Sequence, residues 1–210
     1  MTFDLINGII GLVILAFSVI LHEVAHGFVA DKLGDPTARL YGRLTLDPRK
    51  HIDPIMTILL PLVLILTGSS VIFGAAKPVP VDPFNLREGR KDVALVSLAG
   101  PLTNILLALL ATGILKLIFA FMPDAPMEVA SILFMMITYN VSLAVLNLFP
   151  IPPLDGSKVF ALLLPEKTAN VYLSFGGLGI GSMFAIYLLL FFFSPLISTI
   201  NTFAIRLLGF

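Results

Sequence analysis

Six apolar stretches, at about residues 5–30, 54–73, 93–122, 128–150, 171–194 and 196–208, make up most of this chain. A helix rises ~1.5 Å per residue and a bilayer core is ~30 Å thick, so the longer stretches read as membrane-spanning helices. Composition agrees. Of 210 residues, 58% are hydrophobic and 12% charged, against roughly 25% charged in an average soluble domain. The fold class that follows is an all-α polytopic membrane protein, with about five transmembrane helices plus a re-entrant or sixth hydrophobic segment. Residues 1–210 read as a single integral membrane domain. The formal net charge is +0, which gives no electrostatic reason to expect nucleic acid as a partner. Cysteine is absent, so any metal must be held by histidine and carboxylate. The first apolar run is longer than the core of a signal peptide and has no basic residues before it, so a cleaved leader is not expected.

Two polar blocks interrupt the apolar pattern. In the first, between Asp31 and Asp53, residues 38–46 alternate like a short hairpin around Gly42. In the second, Lys77-Pro78-Val79-Pro80-Val81 reads as an extended edge strand, because two prolines exclude a regular helix. Short membrane-associated β-strands are therefore expected beside the helices. Both blocks are basic: Lys32, Arg39, Arg43, Arg49 and Lys50 in one, Lys77, Arg87, Arg90 and Lys91 in the other. The positive-inside rule puts both in the cytoplasm. Segment 54–73, with Pro61 in its middle, would then enter and leave the bilayer on one side. The N-terminus falls outside, 93–122 runs outward and 128–150 runs inward. Asp47 and Asp53 precede prolines and read as turn or cap residues. The Phe191-Phe192-Phe193 run reads as lipid-facing or interfacial packing.

The chemistry concentrates in His22-Glu23-Val24-Ala25-His26, which lies inside the first apolar run. Two imidazoles at i and i+4 share a helix face, and a Glu between them is the arrangement of a zinc hydrolase. Ionisable groups at membrane depth are costly and point to function. Two histidines leave a catalytic zinc one protein ligand short. The candidate third ligand is Asp155, in Asn147-Leu148-Phe149-Pro150-Ile151-Pro152-Pro153-Leu154-Asp155-Gly156, at the inner end of 128–150. Under the charge-derived topology all three groups lie near one membrane face. Glu23 then serves as general acid/base. His51 is a rival ligand, although its basic loop favours an interfacial role.

These residues resemble the site-2 protease family of intramembrane zinc metalloproteases, in the compact form without a PDZ or nucleotide-sensing domain. His22 to Gly27 is similar to the family's HExxH helix. Asn147 to Gly156 fits its NxxPxPxLDG pattern, and Ala99 to Asn104 resembles its GPxxN element. The match covers a catalytic core of about 5–30 and 93–156. It implies one Zn2+ per chain on His22, His26 and Asp155, catalysis by Glu23, and a cleft lined by Asn147 and Asn104 for substrate. It also implies cleavage of transmembrane substrates within or near the cytoplasmic side of the bilayer, with pairing of the unwound peptide to the 77–81 strand. The expected setting is a multi-pass protein of a prokaryotic inner membrane, with the lipid bilayer and a transmembrane peptide as partners. A homo-oligomer or a regulatory membrane partner is left open. The alternatives are a divalent-metal transporter and a proteolytically inactive membrane-binding homologue.

Overall fold

The computed structural model describes residues 5–67, 76–122, 124–177, 194–203 and 205–209. Among the described residues three helices are long and apolar enough to cross a membrane: α1 (Leu5–Leu33), α4 (Arg90–Phe121) and α5 (Met127–Asn147). Between α1 and α4 come a single turn, α2 (Thr37–Leu40), and the short α3 (Leu60–Leu66). After α5 come α6 (Asp155–Phe160) and α7 (Glu166–Ser174). The protein is a helical membrane protein.

Helix α4 is central and packs against α1, α5 and α6. Its buried face is small: Ala94, Ser97, Ala99, Gly100, Ala108, Ala111 and Thr112. In a bilayer, lipid tails offer no hydrophobic incentive to pair helices, so close approach through small residues supplies the packing. The opposite faces stay apolar and uncovered, as lipid-facing surfaces must: Leu12 and Val13 on α1, Leu102 and Leu106 on α4. Ala108, Ala111, Leu115, Ile137 and Val141 form the α4–α5 core, and Ile205 and Leu208 of the C-terminal residues pack against it.

Two sequence expectations change. The 38–46 hairpin is not formed; its first residues are α2, closed by a Schellman cap. Arg43 N–H donates to the Ala38 carbonyl and Gly42 N–H to that of Arg39, with Gly42 at φ 62°. The glycine that reads as a hairpin turn is a helix stop. The 77–81 segment pairs with no strand. Lys77 N–H donates to the His51 carbonyl and Val79 N–H to the Glu23 carboxylate, so single tertiary contacts replace a ladder, and no β-strand occurs among the described residues. In 54–73, a wide-turn helical stretch (Pro54–Leu59) runs into α3. At ~1.5 Å per residue this is roughly 20 Å, short of a ~30 Å core. Residues 68–75, most of 171–194 and the Phe191–Phe193 run lie outside the described residues. Asp47 and Asp53 do cap the turns that follow them, accepting from Arg49 N–H and from Ile55 and Met56 N–H.

Candidate metal centre

Ser18, His22 and His26 recur every four residues on α1 and so share one face. That face meets a matching stripe on α4, formed by Val96, Gly100 and Asn104. His26 Nδ1 lies 2.7 Å from the Val96 carbonyl oxygen, and His22 Nδ1 lies 2.7 Å from Asn104 Oδ1. Gly100 sits between, leaving the space that the imidazole rings fill. A Cβ there would stand 2.5 Å from His22 Nε2 and 2.6 Å from His26 Nε2.

Asp155 completes the cluster from the first turn of α6. Its Oδ2 is 3.2 Å from His22 Nε2 and 3.1 Å from His26 Nε2, and the two Nε2 atoms are 3.1 Å apart. The Val96 oxygen can only accept, so His26 carries a proton on Nδ1, which makes Nε2 the nitrogen available to a metal. Three atoms of ligand type thus face one another at a spacing that could hold a cation. A tetrahedral ion at 2.0–2.1 Å from each ligand needs donors ~3.3 Å apart, close to the spacing found. Burial alone would raise the Asp155 carboxyl, but its close contacts with the imidazoles of His22 and His26 and the charge of Lys158 hold it well below the usual carboxylate range. It therefore faces the two imidazoles as a carboxylate. Its Oδ1 accepts from Lys158 Nζ at 3.2 Å.

A cleft of about 490 Å³ opens onto this cluster, with Glu23, Val79, Asn147 and Lys158 among its walls. One oxygen of Glu23 accepts from Val79 N–H at 2.9 Å. Asn147 is half-buried, with its amide donating to the Leu143 carbonyl at 3.0 Å. The segment before the cleft is tied down by Arg43, whose guanidinium donates to the Lys77 carbonyl at 2.8 Å.

His22, His26, Asp155, Glu23 and Asn147 thus converge on the cleft expected for them. Asn104 is placed differently: it is 0% exposed, stands behind His22, and is absent from the cleft wall. His51 is also apart from the cluster, 2% exposed and 2.8 Å from the Thr45 carbonyl through Nε2. His22, His26 and Asp155 are the sole metal-competent group among the described residues. Gly100 was read only as part of the GPxxN element, and Ser18 and Asn140, whose side chains bond to each other, went unnoticed, because a small or polar residue on an apolar helix carries no sign of what it faces.

Apolar spanning helices, a buried His₂Asp cluster and a glutamate in the same cleft define a membrane metallohydrolase. Comparison with known proteins agrees. The sequence model of peptidase family M50 matches residues 10–125 and 118–192, and the chain belongs to that family, the site-2 proteases. It is 39% identical over 155 residues to "Putative zinc metalloprotease YwhC" of Bacillus subtilis (strain 168), covering 72% of this chain and 67% of that protein. It is 38% identical over 149 residues to "Putative zinc metalloprotease Rip2" of Mycobacterium tuberculosis (strain ATCC 25618 / H37Rv), covering 71% of this chain and 54% of that one. The protein named Rip2 in Mycolicibacterium smegmatis is 35% identical over 139 residues, with 66% and 51% covered. The chain therefore spans about half the length of its mycobacterial relatives. No solved structure matches it.

Proposed function

We propose that this chain is a zinc-dependent intramembrane endopeptidase acting on transmembrane substrates within or near the cytoplasmic side of the bilayer. The carrying observation is the triangle of His22 Nε2, His26 Nε2 and Asp155 Oδ2, 3.1–3.2 Å on each side, in the wall of a cleft that Glu23 also lines. These three residues would hold zinc and leave a fourth position open. When bound, the ion would polarise the scissile carbonyl and acidify the attacking water.

Glu23 would take the proton from the attacking water and return it to the leaving amine. The Val79 N–H fixes one of its oxygens and leaves the other for proton transfer. Asn147 donates to its own helix, so its side-chain oxygen remains to accept from a substrate backbone N–H. Asn104 orients His22 from behind. The catalytic core is about 5–30 and 93–156, within one membrane domain. The multi-pass arrangement, with the active site facing the cytoplasm of a prokaryotic inner membrane, is supported by the basic residues around Arg43 and Lys77, which lie at the cleft end of α1.

The test is zinc content of the detergent-purified chain, with cleavage of a membrane-peptide panel in parallel. Wild type is expected to hold about one zinc and to cut. Asp155→Ala is expected to lose the metal. Glu23→Gln is expected to keep it and to lose about 10²–10⁴-fold in turnover. Zinc retained in full by Asp155→Ala would sink the assignment.

A further inference from the structure

His22 does not hold its ring alone. A chain of buried amides runs away from it across three helices. Asn104 Oδ1 accepts from His22 Nδ1 at 2.7 Å; Asn104 Nδ2 donates to Asn140 Oδ1 at 2.9 Å. Asn140 Nδ2 in turn donates to Ser18 Oγ at 2.9 Å and to the Met136 carbonyl at 2.9 Å. Ser18, Asn104 and Asn140 are each 0% exposed.

The order of donors and acceptors along this chain is forced from its far end. A backbone carbonyl only accepts, so the Met136 oxygen dictates that Asn140 turns its NH₂ that way. Asn140 must then show its oxygen to Asn104. Asn104 must answer with its NH₂ and show its own oxygen to His22. A histidine facing an oxygen acceptor through Nδ1 carries a proton there, which makes Nε2, 3.2 Å from Asp155 Oδ2, the nitrogen available to a metal. His26 reaches the same state in one step through the Val96 carbonyl. His22 needs the longer route because its neighbour is an amide, which could flip and offer either a donor or an acceptor. Without Asn140, nothing in the chain prefers one orientation of Asn104.

We infer that Asn140 is a positioning residue that sets the His22 tautomer through Asn104, and so prepares the metal-facing nitrogen. The inference rests on the reading of His22 as a zinc ligand. Ser18 is secondary, since the Met136 carbonyl alone orients Asn140.

Two measurements on the full chain in detergent test this. The metal-free protein, labelled at its 3 histidines, is examined by ¹⁵N resonance at about pH 9, above the ordinary histidine range. The zinc dissociation constant is then measured by chelator competition. Wild type is expected to show His22 protonated on Nδ1. Asn140→Leu, similar in size, is expected to shift His22 toward the Nε2 tautomer. Its zinc affinity is expected to fall about 10–100-fold, the usual consequence of losing a group that orients a ligand. Ser18→Ala is expected to change affinity by less than about threefold, since its loss leaves the orienting order intact. Adding Asn104→Asp to Asn140→Leu is expected to restore the Nδ1 tautomer and most of the affinity, because a carboxylate accepts whichever way it turns. An unchanged tautomer and affinity in a folded Asn140→Leu would overturn the inference, as would equal losses in Ser18→Ala or no rescue by Asn104→Asp. A wild type that binds no zinc would overturn the ligand reading, while the ring-nitrogen comparison would still decide the role of Asn140.

Discussion

Replacing Gly100 with alanine should disable the metal centre without touching a ligand. The added Cβ would lie 2.5 Å from His22 Cε1 and Nε2 and 2.6 Å from His26 Nε2. Ordinary carbon contacts begin near ~3.5 Å, so about 1 Å must be found. Helix α4 cannot supply it by moving away, since the acceptors for both rings, Val96 O and Asn104 Oδ1, ride on that helix. Their 2.7 Å bonds would stretch to about 3.7 Å and be lost. If the rings move instead, their nitrogens leave the spacing that suits one ion, where ligand distances tolerate about ±0.2 Å. Losing the orienting bonds of two ligands at 10–100-fold each gives an expected fall in zinc affinity of about 10²-fold or more, or ~2.7 kcal/mol. Overpacking should also cost the metal-free fold about 1–3 kcal/mol. Chelator competition reads the first effect and thermal unfolding of metal-free protein the second. Gly113→Ala is the control: it lies in the same helix with nothing within 4 Å of the new Cβ, and should be neutral or slightly stabilising. A Gly100→Ala protein that binds zinc as wild type does would refute the packing argument.

Asp35 joins the end of α1 to the 82–85 turn, accepting from Thr37 N–H, Asp82 N–H, Asn85 Nδ2 and the Thr37 hydroxyl. Burial opposes its ionised form, yet the hydrogen bonds from Thr37, Asn85 and Asp82 prevail and lower its pKa below the ordinary 3.8. A depressed carboxylate stabilises the fold above its unfolded-state pKa and loses that contribution as pH falls through the folded one. Asp35→Asn should destabilise by about 1–3 kcal/mol near neutral pH; in a thermal-unfolding series its deficit should shrink as pH drops below 3.8. A deficit that grows toward acid would reverse the sign and reject this account. Lys158→Met removes the partner of Asp155 Oδ1 but leaves Oδ2 facing both imidazoles. Zinc affinity should fall by about tenfold at most, the lower end for a group behind a ligand, with full stoichiometry retained; complete metal loss would mean that Lys158 does more than hold Asp155.

Much of the site was legible because its signals are local. His22 and His26 share a face by helical spacing alone, and Asp155 announces itself in a proline-rich stretch that cannot continue α5. Charge at membrane depth, where it is costly, marks the His22–His26 group. Asn104 was legible as a site residue and misplaced in role: its motif says nothing about whether it faces the cleft or the back of a histidine. The hairpin around Gly42 failed for a related reason. Alternating apolar residues and a glycine fit a strand pair and a Schellman-capped turn equally well, and the Ala38 and Arg39 carbonyls that decide between them are identical in every sequence.

The sequence by itself determined that this chain enters a membrane, that its stretches 5–30, 93–122 and 128–150 are long enough to cross it, and which two histidines and which carboxylate types are available to a metal. These follow from hydropathy and from the 3.6-residue period, both properties of neighbouring residues. Tertiary structure alone decided that Asp155 Oδ2 comes within 3.2 Å of both imidazoles, that Gly100 makes room for them, and that Asn140 stands behind Asn104. Those depend on how α1, α4, α5 and α6 cross, since a small residue or a lone amide acquires its function only from the group that another helix sets against it.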